Sequence, residues 1–273
     1  MHINLRKSLF ILPNLFTLSS IFCGFQAILL ANGNATPEDL YRASLLIIYA
    51  MFFDMVDGRV ARMTKTQSAF GVEIDSLADV ISFGIAPAQL VYTWSLSGLG
   101  RLGVFVAFAY VACGAIRLAR FNVLATDTTG RPKKPGKYIV GLPIPGAAGI
   151  LVSLVAANHA IPGELAGLHV AVAVIMVSLS FFMVSTIKFR SFKDLRLSWR
   201  TSVLVLSAVG TAVMIAVKFH VTFALVWMLT SYVAIGLFET SLAIVRAVRI
   251  RLSREKHQQQ QEQSVPVEIH TQQ

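Results

Sequence analysis

Two short acidic segments lie at the junction of two long apolar segments of this chain: Asp54-Met-Val-Asp57-Gly-Arg-Val-Ala-Arg62 and, after eight further residues, Gly71-Val-Glu-Ile-Asp75-Ser-Leu-Ala-Asp79. They hold four aspartates in a chain that has only 14 acidic residues. Ionisable groups at membrane depth cost free energy, and they persist where they are paired, solvated or bound to metal. The junction of the two apolar segments therefore indicates the fold, and it is also a candidate functional site.

The composition around this junction is that of a membrane protein. Of 273 residues, 55% are hydrophobic and only 14% are charged, and the mean hydropathy is +0.65. Average soluble domains are about 45–50% apolar and about 25% charged. This difference excludes a disordered chain, a solvated nucleic-acid-binding domain and an ordinary soluble enzyme. The net charge of +10 fits basic cytoplasmic loops facing an anionic leaflet, so no nucleic-acid partner is expected.

Apolar blocks of about twenty residues match the hydrocarbon thickness of a bilayer. They predict an all-α fold, a polytopic transmembrane helix bundle of about eight spans, at residues 9–31, 43–63, 71–97, 102–124, 140–161, 166–188, 202–218 and 221–248.

Loop charges predict the orientation of these spans. Nearly all of the 24 Lys and Arg residues fall in alternate loops or at the helix ends beside them, and the exceptions are Arg42, Arg101 and Lys218. Positively charged loops stay in the cytoplasm, so both termini are predicted to be cytoplasmic. Residues 1–250 are predicted to form one integral membrane domain. Residues 251–273, with a glutamine run, are predicted to be a polar, disordered cytoplasmic tail.

The spacing of the four aspartates predicts that they converge. Asp54 and Asp57 are three residues apart, and Asp75 and Asp79 are four apart, so each pair shares one helical face. A tight turn at about residues 64–69 would bring the two faces together. Four carboxylates that close cannot all stay ionised without a cation. Oxygen ligands alone, without His or Cys, favour Mg²⁺ or Mn²⁺ over zinc.

Small residues and an arginine share this acidic surface. Gly58 and Ala61 would let a bulky ligand approach the helix backbone, although small residues also serve close helix packing. Arg62 could bind phosphate oxygens, or it could be a charge that only sets the topology. Carboxylates, a divalent metal, small residues and an arginine together indicate a site for a diphosphate.

The pattern D-x-x-D-G-x-x-A-R-x8-G-x-x-x-D-x-x-x-D resembles the signature of the CDP-alcohol phosphatidyltransferases at all eight fixed positions. Further stretches resemble the membrane-embedded bacterial branch of that family whose acceptor is serine. These stretches are Leu12-Pro13-Asn14-Leu-Phe-Thr17, Arg117-Leu-Ala-Arg120-Phe121-Asn122, Gly141-Leu142-Pro143-Ile-Pro145, and Met183-Val184-Ser185 through Ser191-Phe192-Lys193.

The resemblance implies transfer of a phosphatidyl group from CDP-diacylglycerol to the hydroxyl of L-serine, with release of CMP. The reaction would be a direct displacement assisted by two ions, Mg²⁺ or Mn²⁺. The metal ligands would be Asp54, Asp57, Asp75 and Asp79, with Asp79 also the general base. The CDP moiety would contact Asn14, Thr17, Gly58, Ala61, Arg62 and Gly71. Asn14 and Thr17 could instead satisfy the helix backbone around Pro13.

The carboxylate of serine requires a fixed cation, for which the candidates are Arg117, Arg120 and Lys137, with Arg120 preferred. All three could instead be charges that set the topology. The resemblance further implies an inner-membrane enzyme with its active site near the cytoplasmic face, in contact with membrane lipids, and a homodimer. Glycerol-3-phosphate or inositol phosphate is the nearest alternative acceptor. An ion or proton transporter is a distant alternative, because transporters also carry intramembrane acids.

Overall fold

The computed structural model describes most of the N-terminal two thirds of the chain. The described residues are 5–64, 66, 68–125, 138–160 and 167–190, with the isolated positions 207, 210–212, 214, 227 and 231. The last two predicted spans lie almost entirely outside the described residues, and the predicted tail lies wholly outside them.

The described chain is mostly helical, in agreement with the predicted fold class. The elements in chain order are α1 (Leu5–Leu30), α2 (Pro37–Met63), α3 (Ala69–Asp79), a π-helical wide turn (Val80–Ile85), α4 (Ala86–Trp94), a 3₁₀ turn (Leu96–Leu99), α5 (Arg101–Ala125), β1 (Tyr138–Val140), α6 (Ile144–Ala160), α7 (His169–Val184) and β2 (Lys188–Arg190).

Six helical regions therefore match the first six predicted spans, with three local differences. The predicted span 71–97 is interrupted by the wide turn at Val80–Ile85. The predicted span 140–161 is shortened at its N-terminal end and the predicted span 166–188 at its C-terminal end, because β1 pairs antiparallel with β2 there. Only two helical segments of the described chain, Pro13–Leu30 and Arg101–Leu124, are long and apolar enough by themselves to cross a bilayer.

Helices α1 and α2 form the most extensive helix pair, and small residues allow their close approach. Ala27 of α1, Ala31 directly after its end, and Ala43 and Ala50 of α2 are fully buried. Small residues at such an interface let the helix backbones come close together. Helices in a bilayer associate largely through this close packing, because burial away from lipid gives no hydrophobic driving force. Helix α2 also packs against α6, and α5 packs against α7.

The start of α2 is fixed by local hydrogen bonds. The Thr36 hydroxyl accepts the backbone N–H of Asp39 at 3.2 Å, and the Asp39 carboxylate accepts the Thr36 backbone N–H at 3.0 Å. Pro37 occupies the first turn, where a missing N–H costs nothing. This reciprocal capping sets where α2 begins and hence where its acidic end lies, since the helix then runs unbroken to Met63.

The end of α7, which precedes β2, is joined to α5 by an arginine. Gly141 follows β1 with φ +80°, and a Cβ there would overlap the carbonyl oxygen of Met183. Arg120 donates to the carbonyl oxygens of Val184 at 2.6 Å and Ser185 at 3.1 Å. The C-terminal end of α7 is therefore held against α5, and only glycine fits at position 141.

Candidate active site

Three of the predicted aspartates meet at one end of the helix bundle. One carboxylate oxygen each from Asp54, Asp57 and Asp75 lies within 4.8 Å of the other two. Asp54 and Asp57 come from the last three turns of α2, and Asp75 comes from α3, which begins six residues after α2 ends. The short turn between the helices therefore brings the two acidic faces together, as the spacing predicts.

The start of α3 is fixed by the residue that precedes it. Ser68 is the N-cap, and its hydroxyl accepts the backbone N–H of Gly71 at 3.0 Å. A Cβ at Gly71 would approach the same hydroxyl oxygen to 3.2 Å, so a larger residue there would press on the cap. This cap fixes the residue at which α3 begins.

Thr17 of α1 contacts the acidic cluster directly. Its hydroxyl donates to Oδ2 of Asp57 at 2.8 Å and also lies 3.2 Å from the carbonyl oxygen of Pro13. Both side chains are buried. The contact with Pro13 is the backbone role left open from the sequence, and the contact with Asp57 places Thr17 among the metal-ligand candidates. Asn14, one turn earlier, is half-buried.

Asp79 lies beside the group of three and not inside it. Its carboxyl is close to that of Asp54 and interacts electrostatically with Asp75. Its Oδ1 is out of contact with solvent and has no hydrogen-bond partner among the described residues. Arg117, a buried arginine of α5, acts favourably on the same carboxylate. A buried carboxylate oxygen without a donor is free to accept a proton or to bind a cation.

The predicted diphosphate-binding residues lie next to the cluster. Gly58 directly follows Asp57, and a Cβ there would meet only Nη1 of Arg62, at 4.0 Å. Arg62 is exposed, and its charge acts on Asp57. Ala61 is half-buried on the same helix. This stretch of α2 therefore leaves open space beside the acids, with a cation at its edge.

The three predicted acceptor cations lie in different settings. Arg117 is buried, acts on Asp79 and lies 5.8 Å from the centre of the Phe121 ring. Arg120 donates hydrogen bonds to the carbonyl groups at the end of α7. Lys137 lies outside the described residues. Of the two described arginines, Arg117 is the one next to the acidic cluster.

One polar contact near the site was not predicted from the sequence. Asn122 of α5 donates through Nδ2 to the hydroxyl of Ser76 at 2.9 Å, between the two aspartates of α3. Asn122 ends the stretch Arg117–Asn122 that carried part of the resemblance, which is the sequence signal for it. The contact joins α5 to α3, so α5 supplies both a cation and a support to the acidic helix.

The donor set fits a hard divalent cation. Three converging carboxylates and a fourth with a bare oxygen offer oxygen ligands only, and Mg²⁺ and Mn²⁺ prefer such ligands. Thr17 donates to Oδ2 of Asp57, one of the three converging carboxylates. The described residues thus include a cluster able to bind a metal ion.

Fold and site together define a class of helical membrane protein that gathers carboxylates, able to bind a hard cation, at one end of its bundle. Within that class, this chain belongs to the CDP-alcohol phosphatidyltransferase family, whose family model matches residues 10–184. The family that the aspartate pattern resembles is confirmed.

Curated relatives agree with this assignment. A protein of Helicobacter pylori (strain ATCC 700392 / 26695) named CDP-diacylglycerol–serine O-phosphatidyltransferase is 40% identical over 201 residues, which are 72% of this chain and 79% of the relative. A Bacillus subtilis (strain 168) protein of the same name is 35% identical over 182 residues, 67% of this chain and 91% of the relative. An archaetidylserine synthase of Methanothermobacter thermautotrophicus is 37% identical over 182 residues, 65% of this chain and 69% of the relative.

Proposed function

We propose that this protein transfers the phosphatidyl group of CDP-diacylglycerol to the hydroxyl of L-serine, giving phosphatidylserine and CMP. The observation that carries the proposal is the convergence of Asp54, Asp57 and Asp75 beside Asp79, whose buried Oδ1 has no hydrogen-bond partner among the described residues. The family model and relatives named for serine as acceptor support it.

In this reaction the serine oxygen forms a bond to the phosphorus of the phosphatidyl group. The bond from that phosphorus to the oxygen of CMP breaks, and CMP leaves as the anion. The proton of the serine hydroxyl passes to Asp79, whose Oδ1 has no hydrogen-bond donor among the described residues and is available as a base. The chemistry is a direct displacement, and no covalent intermediate with the protein is required.

Asp54, Asp57, Asp75 and Asp79 would hold two ions, Mg²⁺ or Mn²⁺. Such ions supply charge neutralisation for the transferred phosphoryl group and for the leaving CMP. Thr17 fixes the carboxylate of Asp57 by its hydrogen bond at 2.8 Å. The residues of the chain thus provide orientation, which is the main requirement of phosphoryl transfer.

The CDP moiety would lie along the end of α2. Gly58 and Ala61 leave the backbone accessible, and Arg62 provides a charge for a phosphate oxygen. Gly71 lies in the first turn of α3. Asn14 and Thr17 would close the site from α1.

Arg117 is the described arginine best placed for the carboxylate of serine. It is buried and acts on Asp79, so a serine bound to it would bring its hydroxyl towards the base. Arg120 already donates to backbone carbonyl groups. Lys137 remains a further candidate by resemblance.

The membrane topology follows from the loop charges. We infer eight spans with both termini in the cytoplasm, an inner-membrane location and an active site at the cytoplasmic face. The position of the acidic cluster beside the basic end of α2, with Arg59 and Arg62, supports this orientation. A homodimer is expected from the family resemblance.

The decisive experiment is a CMP-release assay on the full chain in mixed micelles of detergent and lipid. CDP-diacylglycerol and Mn²⁺ or Mg²⁺ are supplied with L-serine, glycerol-3-phosphate, inositol phosphate or no acceptor. We expect release that depends on L-serine and is lost in Asp79→Asn. Release with another acceptor would keep the family chemistry and refute serine. If folded protein releases no CMP under any condition, the phosphatidyltransferase activity is refuted and the ion or proton transporter is favoured.

A further inference from the structure

The wide turn Val80–Ile85 begins at the residue that follows Asp79. In it the backbone N–H of Ala86 donates to the carbonyl oxygen of Ile81, five residues earlier, and not to that of Ser82, four residues earlier. Turns of this kind insert one residue into an α-helix and are often found at functional sites. This turn separates the acidic helix α3 from α4, whose residues Ala86, Pro87 and Leu90 are buried in the bundle.

The inserted residue determines where the aspartates point. In a regular α-helix each residue adds a rotation of about 100°. One extra residue in the turn therefore rotates α3 by about that angle relative to α4. Because α4 is fixed by its buried face, the wide turn decides whether Asp75 and Asp79 face α2 or turn away from it.

A proline creates a backbone acceptor in this turn that a helix cannot satisfy. Pro87 has no N–H to donate to the carbonyl oxygen of Phe83, four residues earlier. In lipid or in a buried bundle, an unpaired carbonyl group costs free energy. The hydroxyl of Tyr110, on α5, donates to this oxygen at 3.1 Å, and Tyr110 is fully buried. The tyrosine thus supplies the donor that the proline removes.

The opposite side of the turn is anchored to α1. The hydroxyl of Ser82 donates to the carbonyl oxygen of Ser20 at 3.0 Å, and Ser82 is fully buried. Gly24 lets α1 come close, because a Cβ there would lie 2.8 Å from Cα of Ser82. The turn is therefore held from two sides, by α1 and by α5.

We propose that Tyr110 is a positioning residue, which keeps the wide turn open through the Phe83 carbonyl group and so holds Asp79 next to Asp54. Tyr110 itself touches neither substrate nor metal. The inference rests on the proposed function, since it assigns Asp79 the role of base. Loss of the hydroxyl would leave the acidic helix free to rotate, and a reacting group displaced by about 1 Å can cost about a hundredfold in rate.

The test is the steady-state kinetics of Tyr110→Phe in the full chain, beside the matched control Tyr92→Phe. Tyr92 lies on α4 and is half-buried, like its neighbour Thr93. The control removes a phenolic hydroxyl from this position, which lies outside the wide turn. We expect kcat of Tyr110→Phe to fall about tenfold to a hundredfold, with KM for CDP-diacylglycerol within about twofold of the wild-type value. The control should keep both constants.

The outcomes separate this inference from the function on which it rests. If the wild type is active and kcat of Tyr110→Phe is unchanged, the positioning role alone is refuted. The same holds if kcat falls only in proportion to the amount of folded protein, or if KM for CDP-diacylglycerol rises by the same factor by which kcat falls. If Tyr110→Phe yields no folded protein, Ser82→Ala carries the same test from the α1 side. A wild type that releases no CMP refutes the proposed function, and this inference with it.

Discussion

The hydrogen bond from Thr17 to Asp57 offers a sharp test of the acidic cluster. Thr17→Val keeps the shape and the branching of the side chain and removes only the hydroxyl. The carbonyl oxygen of Pro13, which lies 3.2 Å from that hydroxyl, keeps its helical partner, the backbone N–H four residues on. The change therefore deprives a single buried group, the Asp57 carboxylate, of a donor at 2.8 Å.

The expected size of the effect follows from the charge of the acceptor. Hydrogen bonds to charged groups contribute about 1.5–3 kcal/mol net, and about 1.4 kcal/mol corresponds to a factor of ten in rate or binding. If the whole contribution orients Asp57 for a metal, kcat/KM falls about tenfold to a hundredfold. We expect about tenfold, because a bound ion would itself restrain the carboxylate.

The assay compares CMP release and Mn²⁺ affinity in wild type, Thr17→Val and Thr17→Ser. Thr17→Ser restores the hydroxyl and should recover most of the activity. Ser180→Ala is the matched control, because its buried hydroxyl donates to a carbonyl oxygen of its own helix and not to any of the aspartates. Kinetics and Mn²⁺ affinity of Thr17→Val within twofold of the wild-type values would refute the role given to this bond.

Three further predictions concern stability and binding. Gly24→Ala should lower the free energy of unfolding by roughly 1–3 kcal/mol, seen by thermal unfolding, because the new Cβ would lie 2.8 Å from Cα of Ser82. Arg120→Gln should lower the melting temperature and leave KM for L-serine within twofold, whereas a large rise in that KM would show that Arg120 binds the acceptor. The hydrogen bonds from the N-cap threonine of α2 hold the pKa of Asp39 below its ordinary value. Asp39→Ala should therefore lower the melting temperature at pH 7, and the difference should vanish as the pH falls through that lowered pKa, since the wild type then loses the same charge.

The acidic cluster was predictable because its geometry is local. Spacings of three and four residues put each pair of aspartates on one helical face whatever the rest of the chain does. The short turn between α2 and α3 then brings the two helices side by side. Asp54, Asp57 and Asp75 converge as this spacing predicts, and Asp79 lies beside them.

The position of Asp79 was less predictable, because it depends on a turn within a helix. Hydrophobicity along residues 71–97 predicts one continuous span and contains no sign of an inserted residue. Pro87 was the available signal, since a proline inside a helix frees a carbonyl group four residues earlier. Which donor satisfies that group depends on the packing of α5, and the sequence does not show it.

The role of Arg120 shows a similar limit. A basic residue in a stretch predicted to be cytoplasmic fits a substrate cation, a topological charge and a helix cap equally well. Its hydrogen bonds to the end of α7 join residues more than sixty positions apart. The paired strands β1 and β2 also depend on such distant contacts, so the helical pattern of the sequence did not predict them.

By itself, the sequence determined the helical class, the family and the four acids, since these depend on composition and on spacing within one or two helical turns. Tertiary structure alone decided that Thr17 supports Asp57, that Arg117 and not Arg120 lies beside Asp79, and that a tyrosine of α5 holds the turn behind the acidic helix. The physical reason is that a side chain's partner across the bundle depends on how helices rotate and pack against one another. Rotation by a single residue, about 100°, is enough to exchange one partner for another.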